Sequence, residues 1–276
     1  MIYPYQALAP DYTSCLTRMQ FTRAEAINEA ATRLVGFIDA GRYQDGCKAT
    51  GVPQPWAAAS FEREASSNFN LNPAQGWPLH SQSKWIPHNG PFADWSTAEI
   101  AAYEIDGLDK VGTPNWTWTR ACYEGEIFNG MGYRAHGVHS PYLWSGSNVY
   151  APPYGKFTGD GHFQWVQDTQ LGIIPMMVRI IQLRPGLALA DSLPMNVPAP
   201  IQAPALVPEG HHDAADLQAA LNKLGADPQI TVDGNYGRRT RAAVIQFQGR
   251  VALPQDGIAG PQTWAAIMQR LANLKG

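Results

Sequence analysis

At 276 residues the chain has room for one or two domains, and its 45% apolar content supplies a sizeable core. A formal net charge of −3 leaves no electrostatic basis for binding nucleic acid or an anionic membrane surface. Cys15, Cys47 and Cys122 are far apart and in no metal-binding spacing, so they read as reduced, buried thiols, and no metal or other cofactor is expected.

The opening MIYPYQALAPDYTSCL lacks the basic start and apolar run of a secretion signal, and no segment is long enough to span a membrane. Membrane insertion is therefore not expected. TRAEAINEAATRLVGFIDAG, from Thr22, puts Ile27, Ala31, Leu34, Val35 and Ile38 at helical spacing and stops at Gly41, which predicts an amphipathic helix.

A second helix is predicted over 53–65, with Pro55 near its first turn. The stretch WAAASFEREASSNFN, residues 56–70, runs from its first turn into the Ser/Asn-rich segment after it and carries Glu62 and Glu64. At roughly 100° per residue, with Trp56 at zero, Phe61 falls near 140° and Glu64 near 80°, while Glu62 points away near 240°. Glu64 thus lies between two aromatic rings, where an ionised carboxylate is disfavoured and a proton can be kept for donation to a leaving glycosidic oxygen. Geometry alone leaves open a helix that ends before Glu64, with both glutamates solvated.

Further helices are predicted at 97–108, 116–128 and 163–183, the last with Pro175 as a kink. Between them, 70–95 and 129–160 are rich in Gly, Pro, Asn, Ser and aromatics and read as long ordered loops or short hairpins, the kind that carry function. From Arg184 to about Gly210, six prolines among alanines predict an extended connector. The expected organisation is a unit over 1–183, a Pro/Ala-rich linker over 184–211 and a second unit over 212–276.

That second unit repeats itself. DGNYGRRTRAA from Asp233 recurs as DGIAGPQTWAA from Asp256, with Asp, Gly, Gly, Thr and the Ala pair kept at a constant offset. Each copy reads as an Asp-Gly turn feeding a helix. With DLQAALNKLG ahead, the expectation is a bundle of three short helices with a core of Leu217, Leu221, Leu224, Val244, Phe247, Ile258, Trp264, Ile267 and Leu271. The pattern LQAALNKLG, VDGNYGRRTRAAVIQFQ, LPQDGIAGPQTWAAI resembles the type 1 peptidoglycan-binding domain of cell-wall enzymes. That resemblance implies anchoring to bacterial peptidoglycan near the turn-helix junctions, with Tyr236, Arg239 and Thr240 as candidate contacts.

The first unit carries a second resemblance. EASSNF at a helix end followed by GWPLHSQSKWIP, then YEGEIFNGMGY and SPYLWSGSNVYAPPYGKFTGDG, are similar to segments of lysozyme-superfamily domains of phage endolysins. FNG is similar to a motif of goose-type lysozymes and lytic transglycosylases. The implied fold is mainly α, a lysozyme-like domain with long loops and at most a small β-hairpin. The implied activity is a muramidase cutting between N-acetylmuramic acid and N-acetylglucosamine, with Glu64 as general acid and Asn129, Tyr133, Tyr142, Trp144 and Asn148 as cleft residues. Glu126, in the recognised motif, is the favoured second carboxylate ahead of Glu124 and Asp160, and is equally able to be a buried structural one. The Gly-Leu-Met-Gln-like segment of goose-type enzymes is absent, which leaves the product open.

Three rivals remain. A lytic transglycosylase would cut the same bond. A zinc amidase or peptidase could draw on His136, His139 and His162, and a non-catalytic wall-binding protein would keep the fold alone. The endolysin resemblance further implies a monomer made in the cytoplasm that reaches the wall after holin-type release.

Overall fold

The computed structural model describes residues 3–73, 76–83, 89–158, 161–193, 214–234, 238–253, 259 and 261–274. The chain divides into two compact units, Met1–Ile201 and Gln202–Gly276, each with its own apolar core. Both are helical, as the sequence predicts, and the β-structure of the described residues is confined to one two-stranded antiparallel sheet and two isolated bridges.

The first unit opens with α1, Tyr5–Arg18, whose buried stripe is Leu8, Tyr12, Cys15 and Leu16, with the exposed Pro10 inside the helix. The amphipathic helix predicted up to Gly41 is α2, Ala24–Asp39; it buries the expected residues together with Ala30 and is followed by a left-handed Gly41. α3, Gln44–Thr50, ends on Gly51 in the same conformation. α4, Gln54–Ala65, begins after Pro53, which fixes an extended entry, and accommodates Pro55 in the first turn where no amide donor is needed. α5, Trp95–Ile105, is capped by the Asp94 carboxylate, which accepts the Thr97 N–H at 2.8 Å.

Two 3₁₀ turns, Leu108–Lys110 and Thr113–Asn115, lead to α6, Trp118–Asn129, capped by the Thr117 hydroxyl. Two single-turn helices follow, α7 (Gly132–Ala135) and α8 (Pro141–Trp144). Strands β1 (Lys156–Phe157) and β2 (Phe163–Gln164) form the hairpin, with Phe157 opposite Phe163. α9, Ile173–Leu183, packs against α2 and α4 and is buried without a break from Ile173 to Ile180. The expected helix over 163–183 is thus ten residues shorter. Its first part is β2 and a loop, because Gly172 is held extended with its backbone against Leu143, too close for any side chain. Pro175 falls in the first turn and replaces no bonded amide, so it sets no kink.

Between α3 and α5 lies Glu99, fully buried. Its Oε1 accepts the Tyr103 hydroxyl at 3.1 Å, and its Oε2 faces bare Gly46, where a β-carbon would collide with it. Burial pushes this carboxyl up to about 9, so it is protonated at neutral pH.

The stretch expected to leave the domain at Arg184 stays on it. A 3₁₀ turn, Pro185–Leu187, is followed by the Ala190 N–H donating to the Trp116 carbonyl at 3.0 Å, and Asp191 accepts the Trp118 N–H at 2.8 Å. Leu187, Leu189 and Leu193 pack against the core.

The second unit holds α10 (Ala214–Lys223), α11 (Arg238–Arg250) and α12 (Pro261–Asn273). The last two begin at the offset of the sequence repeat. Its core contains Leu217, Leu221, Val244, Phe247 and Ile267, with Leu224, Trp264 and Leu271 packed against it; Ile258 lies outside the described residues. Ala220, Ala226, Ile230 and Ala243 complete it.

Candidate active site

Glu64 belongs to α4, one residue before its end. The helix is closed by Ser66 and Ser67, two consecutive non-glycine residues at φ 51° and 54°. Such conformations cost energy and persist where surrounding contacts enforce them. Here the Ser66 N–H donates to the Glu62 carbonyl at 3.0 Å, and the Ser67 hydroxyl donates to a Glu62 carboxylate oxygen at 2.7 Å. Glu62 also pairs with Arg33 of α2 at 2.5 Å. The two glutamates therefore diverge as the helical phase predicts, and Glu62 is fixed in a clasp rather than merely solvated.

Glu64 is half-buried. On the same helix, Trp56 packs edge-on against Phe128 and Phe61 packs against Phe69 and Trp95, both rings buried in the core. Burial raises the Glu64 carboxyl to about 7, against the opposing pulls of the Tyr142 hydroxyl and the Arg63 guanidinium, with the nearby charge of Asp106 adding to the rise. Arg63 does not neutralise Glu64 because it is engaged elsewhere: it forms a buried ion pair with Asp168, donates to the Leu171 carbonyl at 3.2 Å, and lies over the Tyr142 ring. Asp168 in turn accepts Lys156 Nζ of β1 at 3.1 Å and the Gln170 N–H at 3.0 Å. Burial works against its charge, but Arg63, Gln170 and Lys156 outweigh it and hold the carboxyl below its ordinary range. This knot ties the hairpin and the following loop to the residue beside Glu64.

Of the residues the resemblance brought forward, Tyr142 meets Glu64. Its ring is 1% exposed, and its hydroxyl has no hydrogen-bond partner of standard geometry while lying close enough to stabilise the Glu64 carboxylate. Tyr133 is buried against Phe157, accepts the Phe157 N–H at 3.2 Å and feels the Asn129 side chain, Arg63 and Asp168, so Asn129 and Tyr133 belong to the hairpin side of this region. Asn129 itself is exposed. Trp144 is 1% exposed and part of the core, which removes it from any cleft surface. Asn148 is exposed but committed to the backbone, accepting the Gln20 N–H at 2.8 Å and donating to the Arg18 carbonyl at 3.1 Å.

Glu126 is a correction. It is 2% exposed, accepts the Tyr12 hydroxyl at 2.5 Å and pairs with Arg134 at 2.7 Å, so its carboxylate is spent on fixing α1 and α7 to α6. Glu124 pairs with Arg120 one turn earlier on the same helix, and Asp160 lies outside the described residues. Asp106, the exposed residue after α5, is a carboxylate whose charge reaches Glu64, and partial loss of water around its carboxyl raises it to about 6. Nothing in its local sequence marks it.

The three histidines take separate roles. His136 stacks on Phe163 with ring centroids 3.7 Å apart, and His162 lies in the hairpin. His139 sits with Asp11 and Cys15, the one His/Cys/Asp/Glu group among the described residues compact enough for a metal. That group already faces two guanidinium groups, Arg18 at 3.1 Å from His139 Nε2 and Arg134 at 3.0 Å from Asp11, which suits an ion-pair cluster better than a cation site.

In the second unit, Tyr236 lies outside the described residues and Arg239 is exposed on α11. Thr240 is buried, and its hydroxyl meets the Gln218 amide at 3.0 Å. Gln218 also accepts the N–H groups of Asp233 and Gly234, both at 3.0 Å. Gln248 meets Thr263 at 3.1 Å. The repeated threonine is therefore a clasp between a turn, a helix and the glutamine of the preceding helix, not a surface contact. Residues 211–267 match the family model of the peptidoglycan binding domain.

The chain carries a C-terminal peptidoglycan-binding domain. The chain is also similar over 45 residues, at 47% identity, to a zinc D-Ala-D-Ala carboxypeptidase of Streptomyces albus G, covering 16% of this chain and 18% of that protein. Over 55 residues it is 40% identical to the N-acetylmuramoyl-L-alanine amidase CwlM of Mycobacterium tuberculosis, covering 20% and 13%. An uncharacterized protein of Kitasatospora aureofaciens is 44% identical over 52 residues, 19% of this chain and 41% of that one. The chain thus spans less than half the length of these relatives, two of which are named as cell-wall hydrolases. No solved structure matches it significantly.

Proposed function

We propose that the first unit is a peptidoglycan glycosidase of the muramidase type, cutting the glycan strand between N-acetylmuramic acid and N-acetylglucosamine with Glu64 as proton donor. One observation carries the reading: a half-buried carboxyl at a helix end, raised to about 7, with its neighbouring cation turned away into a separate ion pair. Such a group is still about half protonated near pH 7 and can give its proton to a glycosidic oxygen as the C–O bond breaks. The peptidoglycan-binding domain supports the choice of polymer. The shared segments of the named peptidase and amidase are the size of that one domain, so their cleavage chemistry is not the guide to the first unit.

The test is lysis of outer-membrane-permeabilised cells by the full chain. Glu64→Gln is expected to lose at least about a hundredfold in rate, the usual share of a general acid. Because burial disfavours the ionised carboxylate, the variant should melt no lower than the wild type at pH 8, and its wall binding should persist. Lysis by the wild type should survive EDTA. Near-wild-type lysis by folded Glu64→Gln sinks the assignment, and loss of lysis with EDTA favours a metallopeptidase or amidase instead.

A further inference from the structure

At the end of α4 opposite Glu64, about 15 Å away at the rise of an α-helix, the first unit carries a groove of about 600 Å³. Its walls are α3, the turn from α3 into α4, the 3₁₀ turn Thr113–Asn115 with Trp116 after it, and the strap over 187–190 that follows α9. The Ala190 N–H is bonded to the Trp116 carbonyl at 3.0 Å, so two of these walls are tied to each other. Val52, Pro53, Pro55, Leu187 and Leu189 make the lining mainly apolar.

Donors meet in this groove without acceptors. α4 begins here with Pro53 at the N-cap and no side-chain cap, so its first amides, that of Gln54 among them, have no intrahelical acceptor at the positive end of the helix dipole. Lys48, in the last turn of α3, is exposed and forms no ion pair among the described residues. Trp116 is 1% exposed, and its indole N–H has no hydrogen-bond partner among the described residues. Trp56, with its ring centroid 5.7 Å from that of Trp116, gives its own indole N–H to the Ala121 carbonyl. Buried donors are rarely left as that of Trp116 is, and a ligand oxygen would satisfy it. None of the described residues lining the groove is a carboxylate. A cation, a helix N-terminus and an orphaned N–H with no acid among them are complementary to an anion that also carries a carbonyl.

We propose that this groove binds the carboxylate end of a short alanine-rich peptide, the kind borne by the glycan strands of peptidoglycan. The carboxylate lies against the Gln54 amide and Lys48, the preceding peptide carbonyl takes the Trp116 N–H, and the methyl groups rest on Val52 and Leu189. With carboxylate and carbonyl both fixed, inverting an α-carbon turns its methyl off that apolar wall, so the site distinguishes the hand of the peptide. No bond is made or broken there; the groove holds a strand by its peptide, apart from the place where the glycan is cut. The proposal rests on peptidoglycan as the polymer, which the second unit supports, and not on Glu64 as general acid.

The test is titration of the isotope-labelled full chain, followed by NMR at the indole N–H resonance that vanishes in Trp116→Phe. N-acetyl-D-alanyl-D-alanine, added to about 10 mM, is expected to shift that signal saturably. Its C-terminal amide should bind at least about tenfold more weakly, and Lys48→Glu, a substitution at an exposed position, should weaken binding of the acid by about tenfold or more. If Trp116→Phe does not fold, calorimetry on wild type and Lys48→Glu makes the same comparison. A signal that the acid does not move, or equal affinity in folded Lys48→Glu, overturns the site. Equal binding of acid and amide overturns the carboxylate, and acetate acting as strongly as the dipeptide overturns the peptide. Equal binding of N-acetyl-L-alanyl-L-alanine overturns the wall as the source of the ligand. Glu64→Gln should bind as wild type does, so loss of lysis in that variant and loss of binding in Lys48→Glu are read separately.

Discussion

Glu62, Glu64 and Glu126 are chemically identical side chains on two helices, and their neighbours put them in different states. Glu62 is held by Arg33 and Ser67 and Glu126 by Tyr12 and Arg134, while Glu64 has no ion-pair partner among the described residues. For Glu126 the consequence is structural: Glu126→Ala leaves a buried tyrosine hydroxyl and half of an arginine's bonding unmet, and should cost about 2–3 kcal/mol. Chemical denaturation should show that loss, while kcat of the folded variant stays within twofold of wild type. Glu64 was legible in sequence because helical phase is a local property. The reach of the Asp106 charge to Glu64 was not, since the two are forty-two residues apart in the chain. Glu126 was misplaced because its partner Tyr12 sits on α1, a helix that the sequence reading did not find.

At the scale of elements, the hairpin contains too few strand residues to stand alone and depends on what anchors it. That anchor is Asp168, buried between Arg63 of α4 and Lys156 of β1. Removing the carboxylate strands Arg63, whose side chain is 7% exposed, so Asp168→Ala should destabilise the first unit by about 3–5 kcal/mol. The sign with pH follows from its lowered pKa: the contribution is present above the ordinary aspartate value and lost as the medium falls below it. Thermal melts from pH 6 down to pH 3 should steepen for wild type and stay flatter for Asp168→Ala; parallel curves would sink the account. The helices around this anchor follow from periodicity and caps, and α2, α4 and α6 lie close to where the sequence puts them. Among the predicted helices α9 departs most: it begins late because the end of α8 packs on the glycine before it and decides the boundary, and that contact has no local signature.

At the scale of the molecule, two units share one chain, and under the proposed reading linkage turns wall binding by one into a raised local concentration of substrate for the other. The second unit was the most legible part, because a repeat states its own architecture twice, although the buried clasp of Gln218 and Thr240 shows that repeated residues can serve folding rather than binding. Glu99 sets a different limit on the whole. Its folded value near 9 stands above its unfolded one, so the stability it allows is complete in acid and drains away as the medium turns alkaline, with a limiting slope of about 1.4 kcal/mol per pH unit. The wild type should therefore lose denaturant resistance steadily between pH 5 and pH 9, and Glu99→Gln should lose markedly less. A single carboxyl pressed against Gly46 thus ties the endurance of this protein to the acidity around it, whatever its catalytic groups require.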